Sequence, residues 1–275
     1  MSFSPTVPLS GLSGYRFLER TGETQKTLLA SSPEIKRNLE YFKENIGNVT
    51  SAEELVNDSR LLEVVMGSYG LQDETYKKAF IREILEEGVE TPGTLGSRLN
   101  NQDYIEMAKD LKFDTDNPRT GWLTVQDKIV SNYVEQTYEI AVGDKDIALR
   151  QALDFKRNAA ETSESGGWFS FMGDASMRDV LETALNLPTD IGFLDVDKQF
   201  EMFEKQALKI LGSKDASVLS DPEAIDKIVS RYLLINQAQQ GINANTPGST
   251  ALTLLSNISS GFGPSASQSL FNSSF

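Results

Sequence analysis

SPEIKRNLEYFKENI, residues 32–46, carries Ile35, Leu39, Phe42 and Ile46 at intervals of four, three and four residues. That spacing lines one face of an α-helix and suits no strand. Ser32 and Pro33 supply an N-cap and first-turn pair. Working outward, Ser51 with Glu54 forms a capping-box pattern that opens a short helix through Leu55 and Val56. Leu61, Leu62, Val65, Met66 and Tyr69 continue the stripe. Tyr76, Phe80, Ile81, Ile84 and Leu85 form the next one, with Gly88 placed to end it in a left-handed cap. Tyr104, Ile105, Ala108 and Leu111 mark a short helix after the Thr91-Pro92-Gly93 turn. The span from Trp122 to about Ala160 reads as one long helix, or as two interrupted at Gly143 and Asp144. Further helices are expected at about 176–187, 195–211 and 221–240. Alternation of strand type is nowhere sustained. The expected fold class is all-α, a multi-helix bundle with Leu39, Phe42, Leu62, Phe80, Ile84, Tyr133, Phe200, Phe203 and Tyr232 in its core.

RLLEVVMGSYGL at 60–71 is echoed by RDVLETALNLPT at 178–189, and Asp73, Tyr76, Phe80 and Gly88 by Asp197, Phe200, Phe203 and Gly212. Either the chain contains an internal duplication or capped amphipathic helices simply look alike. The expected division is a flexible N-terminal segment at 1–30, an all-helical domain at 31–240 with subdomains 31–120 and 121–240, and a tail at 241–275. That Ser/Gly/Asn-rich C-terminal tail holds no charged residue yet carries Leu252, Leu254, Leu255, Ile258, Phe262, Leu270, Phe271 and Phe275. Two readings fit it, a disordered tail and a segment ordered against a partner.

Among 275 residues, 26 Lys plus Arg stand against 40 Asp plus Glu, a net charge of −14. Such a charge repels nucleic-acid phosphates and anionic membrane surfaces. No apolar run approaches the roughly 20 residues of a membrane-spanning helix, so membrane insertion is not expected. The N-terminus lacks the basic and apolar regions of a cleaved signal peptide. With neither Cys nor His, thiolate nucleophiles, imidazole bases and the usual zinc ligands are excluded. Asp114, Asp116 and Asn117 begin like a calcium loop, but Pro118, Arg119 and Val125 break the pattern. No phosphate-binding glycine motif occurs. The expectation is a non-enzymatic protein with no cofactor, no metal and no small-molecule substrate. Residues 161–174, ETSESGGWFSFMGD, read as a Gly- and Ser-rich loop. Its Trp168, Phe169 and Phe171 either anchor a core edge or form a partner-binding hot spot. The candidate partner-binding residues are these three with Leu252, Leu255, Phe262, Leu270, Phe271 and Phe275.

The segments EYFKENIGNVTSAEELVND at 40–58, RLLEVVMGSYGL at 60–71 and KKAFIREILEEG at 77–88 resemble the bacterial family known as domain of unknown function 1217. DVDKQFEMFEKQAL at 195–208 and DPEAIDKIVSRYLLI at 221–235 are similar to its second half, so the resemblance covers most of residues 30–235. Members are commonly encoded among flagellar genes. The resemblance thus implies a flagellar structural or assembly-associated protein that contacts other flagellar proteins, located in the flagellum without a cleaved signal. The alternative it implies is a cytoplasmic adaptor or export chaperone. It brings no catalytic residue and no cofactor.

Overall fold

The computed structural model describes residues 3–99 and 101–243. Among them are 13 α-helices and no strand, and no helix is long and apolar enough to cross a membrane. The helices are α1 (Gly11–Ala30), α2 (Pro33–Asn45), α3 (Ala52–Asn57), α4 (Ser59–Ser68), α5 (Lys78–Glu87), α6 (Leu95–Arg98) and α7 (Gln102–Leu111). They continue with α8 (Leu123–Gly143), α9 (Ile147–Gly166), α10 (Trp168–Gly173), α11 (Ala175–Ala184), α12 (Val196–Leu211) and α13 (Pro222–Asn243). The chain is therefore an all-α multi-helix bundle.

Its organising feature is a structural repeat. Six-residue α3 leads into ten-residue α4, and six-residue α10 leads into ten-residue α11. Asp58 caps α4 through the amides of Arg60 and Leu61, and Asp174 caps α11 through the amide of Met177. Both helices end in the same left-handed turn. Gly70 (φ 74) and Asn186 (φ 55) take the strained position. The Leu71 amide reaches back to the Met66 carbonyl and the Leu187 amide to that of Glu182, each at 2.8 Å. Asp58 to Asp174 and Gly70 to Asn186 are both shifts of 116 residues. The pairing of 60–71 with 178–189 read from sequence is thus out of register by two residues. The third helices, α5 and α12, close at Gly88 and Gly212, both with positive φ.

Packing repeats with the sequence. α4 lies on α2 and α8 as α11 lies on α9 and α13, and α3 and α10 each touch the two helices that follow them. Before α8 the first half inserts α6 and α7, where the second half has only a 3-10 turn at Ala216–Ser220. The halves meet along α8 and α9, which are two helices broken at Gly143 rather than one.

The expectation of a flexible segment at 1–30 is corrected. α1 crosses α8, α9 and α13 and so spans both halves. Its buried stripe is Tyr15, Leu18, Gly22, Gln25 and Leu29. Two of these five are not apolar, which hides the period from a hydrophobicity reading. Gln25 exchanges hydrogen bonds with the backbone of Thr6 at 2.7 and 3.2 Å and fastens the preceding strand of chain along the helix. Gly14 is obligatory, because a Cβ there would lie 2.0 Å from the Leu9 carbonyl oxygen.

Of the expected core, Leu39, Phe42, Leu62, Ile84, Tyr133, Phe203 and Tyr232 are buried. Phe80 and Phe200 are half-buried against it. Tyr76 is corrected to exposed, since α5 begins two residues after it.

Truncating Phe42 or Phe203 to Ala should cost about 3–5 kcal/mol in chemical denaturation, and Tyr15→Ala on α1 a comparable amount. Leu28→Ala, on the solvent face of α1, should stay within about 0.5 kcal/mol. A Tyr15→Ala protein as stable as wild type would show α1 to be undocked in solution.

Candidate interaction site

Two surfaces carry chemistry beyond core packing. The first is a cleft of about 330 Å³ between the halves. The N-terminal turn of α7 supplies Asp103 and Glu106, α8 supplies Lys128, α9 supplies Arg157, and the α10–α11 junction supplies Asp174. Lys128 bridges Glu106 at 2.8 Å and Asp110 at 2.7 Å, and the Tyr69 hydroxyl donates to Asp110 at 2.8 Å.

Behind the cleft lies a buried polar network. The Arg157 guanidinium donates from Nε and Nη2 to the two carboxylate oxygens of Glu139 at 3.0 and 2.9 Å. Nη2 also donates to Asp154 at 3.0 Å, whose other oxygen accepts from the Ser176 hydroxyl at 2.9 Å. α8, α9 and α11 are thereby tied through one cation. Burial sets the protonation here, and carboxylates outnumber cations. Burial, with Asp154 and Glu135 adding like charge, outweighs Arg157 and pushes Glu139 up to about 7. Burial likewise raises Asp154. Asp103 is exposed at the mouth; partial enclosure, helped by Asp174, Asp154 and Glu106, raises it above the usual carboxylate range, and solvent limits the shift. Among the described residues no group of three or more acidic side chains is placed to hold a metal ion.

The second surface is aromatic. Residues 161–174 are not the loop expected from their Gly and Ser content; α9 runs through Gly166 and α10 begins at Trp168. Trp168 and Phe171 are core residues, which corrects their assignment as partner contacts. The Trp168 indole donates to the Lys214 carbonyl at 2.7 Å and packs on Phe171 and Phe203 at ring distances of 5.9 and 5.8 Å, while Phe171 stacks on Phe155. The spacing of three between Trp168 and Phe171 points both inward and turns Phe169 outward. Phe169 is 53% exposed and stacks on Phe200 of α12 at 4.8 Å. Leu252, Leu255, Phe262, Leu270, Phe271 and Phe275 lie outside the described residues. The sequence reading missed the neighbouring turn, where Phe193, Leu194 and Val196 are exposed. The signal was GFLDV at 192–196, apolar side chains in adjacent positions between Asp190 and Asp197.

A carboxyl whose folded pKa lies above its unfolded value binds more protons in the native state, so stability falls as pH rises through the interval between them. For Glu139 that interval is about 4.5 to 7, and the loss across it is on the order of 3 kcal/mol. Denaturation midpoints measured from pH 5 to 8 should decline in wild type and decline less in Glu139→Gln. An unchanged slope in the variant would remove Glu139 from the cluster's titration.

The fold and its surfaces can be set beside known proteins. The crystal structure of protein AGR_C_984 from Agrobacterium tumefaciens is similar over 86% of this chain and 98% of its own, with a TM-score of 0.72 and 29% sequence identity. No curated protein matches the chain. A family model matches residues 68–225, from the end of α4 to the first turn of α13. The match takes in α5 through α12, the cleft-lining Asp103, Arg157 and Asp174, and both Phe169 and the 193–196 turn, while EYFKENIGNVTSAEELVND at 40–58 lies outside it. More than half of the chain is covered, and the chain belongs to the family described as protein of unknown function (DUF1217).

Proposed function

We propose that this protein is a non-enzymatic component of the bacterial flagellum, or of its assembly, and acts through protein–protein contacts. The observation that carries the contact reading is the aromatic surface of Phe169 and Phe200, continued by the exposed apolar turn at 193–196. Aromatic and apolar side chains gathered together in water on an acidic surface mark interaction sites. The flagellar placement rests on the family resemblance and the genes among which its members are commonly encoded. The uncharged tail at 241–275 is a second contact segment in this reading, because its large apolar side chains gain about 25 cal/mol per Å² of apolar area when a partner buries them.

Mass spectrometry of purified hook–basal bodies should detect the protein. Recovery only from cytosol, bound to export clients, would favour the adaptor reading instead. Deleting Thr246 to Phe275 should leave the helix content and thermal midpoint nearly unchanged and abolish incorporation into flagella. Normal incorporation of the truncated chain would make the tail dispensable.

A further inference from the structure

Segment PTDIGFLDVDK, residues 188–198, leads from α11 into α12, and among its side chains only Ile191 is buried. Phe193 is 93% exposed, Val196 56% and Leu194 41%. Val196 lies one helical turn before Phe200, whose ring is stacked on Phe169. The apolar surface therefore runs from the turn along the first turns of α12 to α10. Isolated apolar side chains on a surface need no explanation, but a contiguous group does.

The turn is also held in place from beneath. Arg178 of α11 pairs with Glu182 and donates from Nη2 to the Gln199 side-chain oxygen at 2.8 Å. Buried Gln199 donates in turn to the Leu194 carbonyl at 2.7 Å. Backbone bonds from Ile191 to Pro188, from Phe193 to Asp190 and from Leu194 to Ile191 complete a 3-10 turn. The backbone that displays Phe193 is thus ordered before any partner arrives, which lowers the entropy cost of association.

Charge selects the occupant. Asp190, Asp195 and Asp197 border the apolar side chains, and Glu201 is exposed on the next turn of α12. The cations nearby are Lys198, 3.8 Å from Asp195, and Arg178, which is paired with Glu182 beneath the turn, so the carboxylates are in excess. A second copy of this chain brings a net charge of −14 to the same place, and the chain's own tail brings none. The repeat-related turn before α5 exposes a single aromatic, Tyr76, among Asp73, Glu74, Lys77 and Lys78, so that turn has neither the group of apolar side chains nor the excess of carboxylates.

We propose that the surface formed by Phe193, Leu194, Val196, Phe169 and Phe200 docks a cationic amphipathic helix of a partner protein, its apolar face on these side chains and its Lys or Arg residues on Asp190, Asp195 and Asp197. The proposal rests on the contact function above and specifies its site and partner chemistry.

The test uses the full-length protein and two synthetic peptides of about 18 residues, five helical turns. One is an amphipathic Leu/Lys helix and the other its Leu/Glu counterpart, each titrated calorimetrically. The Leu/Lys peptide should bind and the Leu/Glu peptide should not. Phe193→Ser/Val196→Ser should weaken binding roughly tenfold or more, with unchanged circular dichroism. Ile147→Ser/Leu234→Ser, at comparably exposed sites elsewhere, should stay within about twofold. Asp195→Asn/Asp197→Asn should flatten the salt dependence between about 0.05 and 0.5 M. Equal affinity in the Phe193→Ser/Val196→Ser protein would overturn the proposal, because the peptide would then be adsorbing to acidic surface at large. Binding that appears only after deletion of Thr246 to Phe275 would identify the tail as occupant. Self-association in sedimentation that Phe193→Ser abolishes would identify a second copy. Failure of the peptide experiments with the protein present in hook–basal bodies would sink the docking site and leave the contact function standing.

Discussion

Arg157 sits where the two halves of the bundle meet, with Glu139 of α8 on one side and Asp154 of its own helix on the other. Glu139 is the buried partner, and removing the half-buried guanidinium would leave its carboxylate without a cation in an enclosed site. The bidentate pair favours one register of the α8–α9 seam. Everything attached to those helices, α4 on α8 and α11 on α9, inherits its position from that register. Burial raises Glu139 and Asp154 above the usual carboxylate range, so the element that joins the halves also makes the seam sensitive to pH.

The repeat shows what a helical sequence reveals about itself. Ile35, Leu39, Phe42 and Ile46 are all buried, because a stripe of large apolar side chains at 3.6-residue spacing has one face to hide. The duplication was visible in outline, but its register was not. Apolar matching aligned Leu62 with Val180, whereas the structure aligns the capping aspartates and the left-handed residues Gly70 and Asn186. Caps are sharper markers than stripes, since a stripe tolerates a slip of three or four residues while a left-handed turn tolerates none.

α1 was illegible for a different reason. Its buried face carries Gly14, Gly22 and Gln25 where a periodicity reading looks for Leu, and Gly14 is required by the approach of the Leu9 carbonyl and of Leu149. The cleft was hidden because Asp103, Arg157 and Asp174 belong to separate elements and converge only in three dimensions. Trp168 and Phe171 misled in the opposite sense: Gly166 and Gly167 suggested a loop, but their spacing of three already put both on one helical face. Phe169, between them, is the residue of the three that the fold leaves in water.

α1 has a consequence for the order in which the molecule is made. Of the described helices it is the first to be synthesised, yet it rests on α13, the last of them. At about 5–20 residues per second, nearly 200 residues must follow α1 before its docking surface is complete, a wait on the order of 10–40 s. Both halves can form from neighbouring segments during that time, whereas the closure of α1 onto α13 joins the two ends of the described chain and comes last. Until translation reaches α13, the side chains of α1 that meet it remain accessible to chaperones and proteases. Once α13 is in place those side chains are buried, and the access closes with them.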